Sequence, residues 1–107
     1  MVRIVIHNMD DRTLEVQDPS RTLLGHLHDH HIDWMHSCGA KGRCTTCKAI
    51  ILNGEENLSE LTPPELRYRD LEALRPGERL ACQVMVRGNV VIRVPEENKL
   101  PHLRYSD

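Results

Sequence analysis

Four cysteines, Cys38, Cys44, Cys47 and Cys82, are the residues of this chain whose type and spacing can do chemistry. The first three follow the pattern Cys-x5-Cys-x2-Cys, and the fourth comes after a further 34 residues. Gly39, Ala40, Lys41, Gly42 and Arg43 fill the first gap, and Thr45 and Thr46 fill the second. Such a loop suits the wrapping of a compact inorganic core. Gly39 and Gly42 permit positive φ and close backbone approach, while the two threonine hydroxyls and inward backbone N–H groups can donate to sulfur. Four thiolates around iron and sulfide make a [2Fe-2S] cluster, and the negative charge of such a group beneath a protein surface must be compensated. Lys41, Arg43 and Lys48 lie within or next to the loop.

Other uses of the cysteines fit less well. Structural zinc prefers paired Cys-x2-Cys knuckles, and only one is present. A redox-active Cys44–Cys47 pair of thioredoxin type should open a helix after a strand, whereas a strand is expected after this motif. Structural disulfides are disfavoured in a reducing compartment. That compartment is the one expected: no apolar run approaches the roughly 20 residues of a membrane span, and Met1 to His7 carries no signal-peptide core. The chain reads as soluble and cytoplasmic, with an exported form stripped of its leader as the alternative.

Two further features stand near the first cysteine. His26, His28, His30, His31 and His36 crowd together, and His26 and His30 have the i, i+4 spacing of a chelating pair without an HExxH motif. A solvated helix face is the reading preferred for them, with His31 on the apolar side as a core histidine. A Rieske centre would need Cys-x-His pairs at both ligand stretches, and only His36-Ser37-Cys38 approaches one. His36 beside a cluster would make its potential pH-dependent. Trp34, four residues before Cys38, is read as packing that holds the loop rather than as an electron conduit.

The surrounding elements must position these groups. Val2, Ile4 and Ile6, then Leu14 and Val16, alternate as a β-hairpin. Leu23, Leu24, Leu27 and His31 share one sector of a helix capped near Ser20. Lys48 to Leu52 reads as a strand stopped by Asn53-Gly54. Thr62-Pro63-Pro64-Glu65 has capping-box spacing for a helix bearing Leu66, Leu71 and Leu74 and ending by Pro76-Gly77. Leu80 to Val86 and Val90 to Val94 read as strands joined in a hairpin at Gly88-Asn89. The order ββαβαββ predicts an α+β domain with a mixed sheet and packed helices. Residues 1–95 form the expected domain, and 96–107 a tail or strap. The chain has 107 residues with 3% aromatic content and no Phe, so its core is thin and a metal staple is expected to support it.

Cys38-Gly39-Ala40-Lys41-Gly42-Arg43-Cys44-Thr45-Thr46-Cys47, together with Arg79-Leu80-Ala81-Cys82-Gln83, resembles the [2Fe-2S] ferredoxins of the plant-type superfamily. The five-residue first gap is closest to the adrenodoxin and putidaredoxin branch. The resemblance implies a β-grasp fold, with Cys38 and Cys44 on one iron and Cys47 and Cys82 on the other. It departs from that branch at Lys48, where His is usual, and over Glu55 to Glu78, where seven acidic and three basic residues leave a net charge of −4 interrupted by Arg67, Arg69 and Arg75.

A formal charge of −2 lacks the basic excess of a nucleic-acid binder. No dinucleotide fingerprint, Walker loop or nucleophilic triad is present, so an enzyme with its own substrate site is not expected. The reading is a monomeric one-electron carrier between a ferredoxin reductase and an acceptor oxidoreductase, docking through the loop and the helix from Pro63 to Leu74. An iron–sulfur sensor or cluster-transfer protein is the alternative.

Overall fold

The structure, a computed structural model, describes residues 2–17, 21–32, 34, 47–96, 99–101 and 103–106. Its elements run β1 (Val2–Ile6), β2 (Arg12–Val16), α1 (Leu23–Asp29), β3 (Lys48–Asn53), a single 3-10 turn (Glu55–Asn57), α2 (Pro63–Asp70), β4 (Glu78–Leu80) and β5 (Val90–Arg93). This is the ββαβαββ order read from the sequence. One five-stranded sheet has the order β2-β1-β5-β3-β4. β1 pairs with β2 antiparallel and with β5 parallel, and β3 pairs antiparallel with both β5 and β4.

Alternation decides which face is buried. Ile4 and Ile6 of β1, Leu14 and Val16 of β2, Ala49 and Ile51 of β3, and Val90 and Ile92 of β5 all point into the core, where they join Leu23, Leu24 and Leu27 of α1. Each Val, Leu or Ile side chain so buried contributes about 1.5–3 kcal/mol. Trp34 and the buried thiols Cys47 and Cys82 belong to the same cluster of buried side chains.

Three expectations are corrected. The strand read from Leu80 to Val86 is regular only over Glu78–Leu80, and residues 81–83 turn. Met85 and Val86 make isolated bridges to Thr22 and Leu58. No β4–β5 hairpin forms, because β3 lies between these strands. Residues 87–89 are held elsewhere: the Arg87 N–H donates to the Asn57 carbonyl, the Arg3 N–H to Asn89 Oδ1, and a Cβ on Gly88 would meet the Asn57 side chain at 2.5 Å.

The second correction concerns α2. Its capping box is present, yet the helix stops at Asp70. Leu66 and Leu71 remain exposed, at 48% and 64%, while Leu74 is buried. The Ala73 and Leu74 N–H groups both donate to the Tyr68 carbonyl, and Glu72 adopts φ 59, which turns the chain and sends Leu74 inward. The buried residue of the helix itself is Glu65.

Third, α1 is capped by Thr22, whose Oγ1 accepts from the Gly25 N–H at 3.1 Å; Ser20 lies outside the described residues. The helix ends at Asp29, and His31 beyond it has φ 60 and is exposed. Among the described histidines His26 is the buried one, at 3% exposure, so the solvated face holds for His28 and fails for His26. The pair does not present two open ring edges, since His30 Nδ1 lies 3.1 Å from the His26 carbonyl.

Beyond β5 the chain returns to the β1–β2 connection. Asn8 Nδ2 donates to the Val94 carbonyl, and the Val94 N–H donates to Asn8 Oδ1. The Ser106 N–H then donates to the Asn8 carbonyl, and Ser106 Oγ donates to that of His7.

Candidate metal centre

Two of the four predicted site residues are brought together. Cys47 immediately precedes β3 and Cys82 sits in the turn after β4, and their Sγ atoms stand 3.4 Å apart. The two are 1% and 5% exposed, and neither forms a disulfide. Cys38 and Cys44 lie outside the described residues, as do Gly39, Lys41, Gly42, Arg43, Thr45, Thr46 and His36.

The approach follows from the ladder between β3 and β4. Lys48 opposes Leu80, and the next rung is the Ala81 N–H donating to the Cys47 carbonyl at 3.1 Å. The chain then leaves the ladder on both sides, with Cys47 and Cys82 at the divergence. A disulfide requires sulfur atoms about 2.05 Å apart. Two thiolates on one tetrahedral metal, with bonds of about 2.3 Å, stand about 3.8 Å apart. Buried sulfur donors at this separation fit the half of an iron–sulfur group that the described residues can test.

The segment bearing Cys82 is tied on every side. Leu24 N–H donates to the Ala81 carbonyl and Leu23 N–H to the Val84 carbonyl, each at 2.8 Å, so the first turn of α1 supplies its unpaired donors to this turn. Gln83 and Val84 N–H groups fold back onto the Leu80 carbonyl. The Gln83 side-chain amide lies 3.7 Å from Cys82 Sγ, a donor aimed at sulfur.

Behind the turn stands an ion pair that spacing did not reveal. Arg79 Nε and Nη2 donate to the two oxygens of Glu65, at 2.7 and 3.0 Å, with side chains 6% and 0% exposed. The carboxylate also accepts the Thr62 and Leu80 N–H groups. Burial alone would push the Glu65 carboxyl up, but these hydrogen bonds, with the charge of Arg79, hold it below its ordinary value. The Thr-Pro-Pro-Glu signature announces one of these bonds, the capping bond to Thr62; the rest come from a distant strand.

Lys48, expected to compensate cluster charge, has its ammonium 3.9 Å from Glu78 Oε1, with both side chains largely buried, so a carboxylate shares that charge. Trp34 is 4% exposed and its indole N–H donates to the Cys47 carbonyl at 3.2 Å, in keeping with the packing role expected of it.

Residues 5–87 match the family model described as a 2Fe-2S iron-sulfur cluster binding domain. The chain belongs to that family. This ferredoxin-type domain is 33% identical over 96 residues to the F component of the Na(+)-translocating NADH-quinone reductase of Idiomarina loihiensis, an alignment covering 90% of the chain and 22% of that relative. The chain thus spans about a fifth of the length of the curated relatives it matches. Among solved structures it is similar to an ISC-like [2Fe-2S] ferredoxin from Pseudomonas putida, with a TM-score of 0.74 and 32% identity, covering 96% of this chain and 99% of the other. Oxidised putidaredoxin shares the fold, with a TM-score of 0.69 at 24% identity over 88% of this chain and 96% of its own. The α+β mixed sheet is the β-grasp sheet of these ferredoxins, and a [2Fe-2S] cluster is the cofactor of the domain. Among the described residues no helix is long and apolar enough to cross a membrane.

Proposed function

We propose that this ferredoxin-type domain is a cytoplasmic, monomeric one-electron carrier that shuttles between a reductase and an acceptor oxidoreductase and has no substrate site of its own, with Cys38, Cys44, Cys47 and Cys82 as the four ligands of its cluster. Its working domain is residues 1–95, with 96–107 as a tail or strap. The observation that carries this reading is the pair of buried thiols, Cys47 and Cys82, with sulfur atoms 3.4 Å apart in a domain of the iron–sulfur cluster binding family. When bound, the cluster supplies a one-electron couple at roughly the low negative hundreds of millivolts.

The chain's own residues set the conditions for that couple. Glu65, Leu23, Leu24 and the Cys47 carbonyl fix the backbone on both sides of Cys82, so the thiol is held in place before any metal arrives. Burial excludes water from both sulfurs, and the Gln83 amide offers a donor that favours the more negative state. Leu66 and Leu71, exposed on and just after α2 beside Arg67, form an apolar and charged surface suited to a transient partner. Small, wet encounters of this kind are weak and salt-sensitive.

The purified chain should be coloured, contain iron and sulfide in equal amounts, and keep its visible spectrum through repeated reduction and reoxidation. Cys82→Ser should lose or destabilise that spectrum. A colourless protein holding stoichiometric zinc overturns the assignment, and handover of the cluster to an apo-protein in place of reversible electron transfer favours the sensor or transfer reading.

A further inference from the structure

Trp34 and Cys47 stand at the two ends of residues 35–46, the stretch that contains Cys38 and Cys44. They are joined directly, indole N–H to carbonyl, at 3.2 Å. The same Cys47 oxygen accepts the Ala81 N–H, the residue before Cys82, at 3.1 Å. A carbonyl has two lone pairs and an indole only one donor, so this oxygen carries two donors, one from the entry to the cysteine stretch and one from the strand of the fourth cysteine. Three segments distant in sequence meet at one atom, and that atom belongs to the residue whose sulfur faces Cys82.

We propose that Trp34 is a positioning residue for the cluster: its indole N–H extends the β3–β4 ladder by one further donor and so sets the Cys47 backbone from which the thiol projects. The inference rests on the ligand reading above. Trp34 is almost wholly buried, so its N–H must find an acceptor inside the protein. The acceptor it takes is the carbonyl of a cysteine rather than one of the many carbonyls of the aliphatic core. Coupling of this kind is reciprocal: if the indole bond helps retain the cluster, the cluster helps retain the indole bond.

The test uses the full chain loaded with its cluster. Trp34→Phe keeps an aromatic ring and removes the donor. It is compared with Leu14→Ala, which empties a core position on β2, the sheet edge opposite β4. With both variants studied where they are fully folded, Trp34→Phe should lose its visible absorbance to an iron chelator about two- to tenfold faster than wild type, the range expected for one net hydrogen bond. Its reduction potential and visible circular dichroism should also shift. Leu14→Ala should melt earlier and yet match wild type in potential and in cluster-loss rate. Should Trp34→Phe fail to fold, the wild-type chain provides the second measurement, because Trp34 is the sole tryptophan. Chelating the iron should then increase quenching of its fluorescence by acrylamide at the same rate as the colour fades. The positioning role is overturned by a Trp34→Phe variant that behaves as Leu14→Ala does, or by tryptophan accessibility that ignores cluster loss. A wild-type chain that never shows a [2Fe-2S] spectrum would instead overturn the cluster reading itself.

Discussion

Glu65 illustrates how much one side chain can carry. Its carboxylate is fully buried and binds Arg79 through both oxygens while accepting the Leu80 N–H, two residues before Cys82. Breaking such a pair strands the remaining charge, at a cost of about 3–5 kcal/mol. Glu65→Gln is therefore expected to lose about 3 kcal/mol of stability at neutral pH, read as a fall in the denaturation midpoint. The sign of the pH dependence follows from the lowered carboxyl. The unfolded chain takes up this proton first, so the contribution of Glu65 is complete above the ordinary value of about 4.5 and is lost as pH falls through the lower folded value. The stability gap between wild type and Glu65→Gln should stay level from about pH 8 to pH 5 and narrow below that; a gap that widens on acidification contradicts the pairing. The approach of Cys47 and Cys82 is legible in the sequence because their spacing reads as that of groups sharing one site. The second oxygen of Glu65 is not, because the capping box explains the residue so well that nothing in the sequence asks for Arg79.

At the scale of elements, α2 shows why periodicity misleads in a short helix. Three leucines at 66, 71 and 74 suggest one apolar stripe, yet the helix has ended before Leu74 and a left-handed Glu72 has rotated the chain. The prediction separates the two readings. Leu74→Ala should cost about 2–5 kcal/mol as a core truncation, whereas Leu71→Ser should stay within about 0.5 kcal/mol and weaken partner docking instead. Equal losses in thermal denaturation would restore the single stripe. β4 is misread for a related reason. Leu80, Cys82, Val84 and Val86 are all buried at period two, so the pattern is that of a strand, but the amides of 81, 83 and 84 and the carbonyls of 81 and 84 are used by Cys47, by Leu80 and by the first turn of α1. Burial pattern reports where side chains go and says nothing of which backbone partner is present. The β1–β2 hairpin and β3 are legible because there the two agree.

Across the whole molecule the aliphatic, Phe-free core closes around α1 on one sheet, and the thiol pair forms part of it. Removing the cluster should accordingly lower the melting temperature substantially, since ligand bound only by the folded state adds to its stability; apo-protein melting with the holo form in calorimetry would show that the aliphatic core suffices. The order of elements is legible, but the strand order is not. A hairpin between β4 and β5 is the local solution, and the sheet adopts the non-local one, inserting β5 between β1 and β3. That insertion has a consequence in time. β1 and β5 are partners through Ile4 and Val90, at opposite ends of the chain. Cys47 leaves the ribosome 35 residues before Cys82, a lead of roughly two to seven seconds at ordinary rates of synthesis. The strand that joins the N-terminal hairpin to β3 follows later still. The paired thiols can therefore form only once the chain has been made past Cys82, and on the ligand set proposed above, delivery of iron and sulfide to them waits for that length.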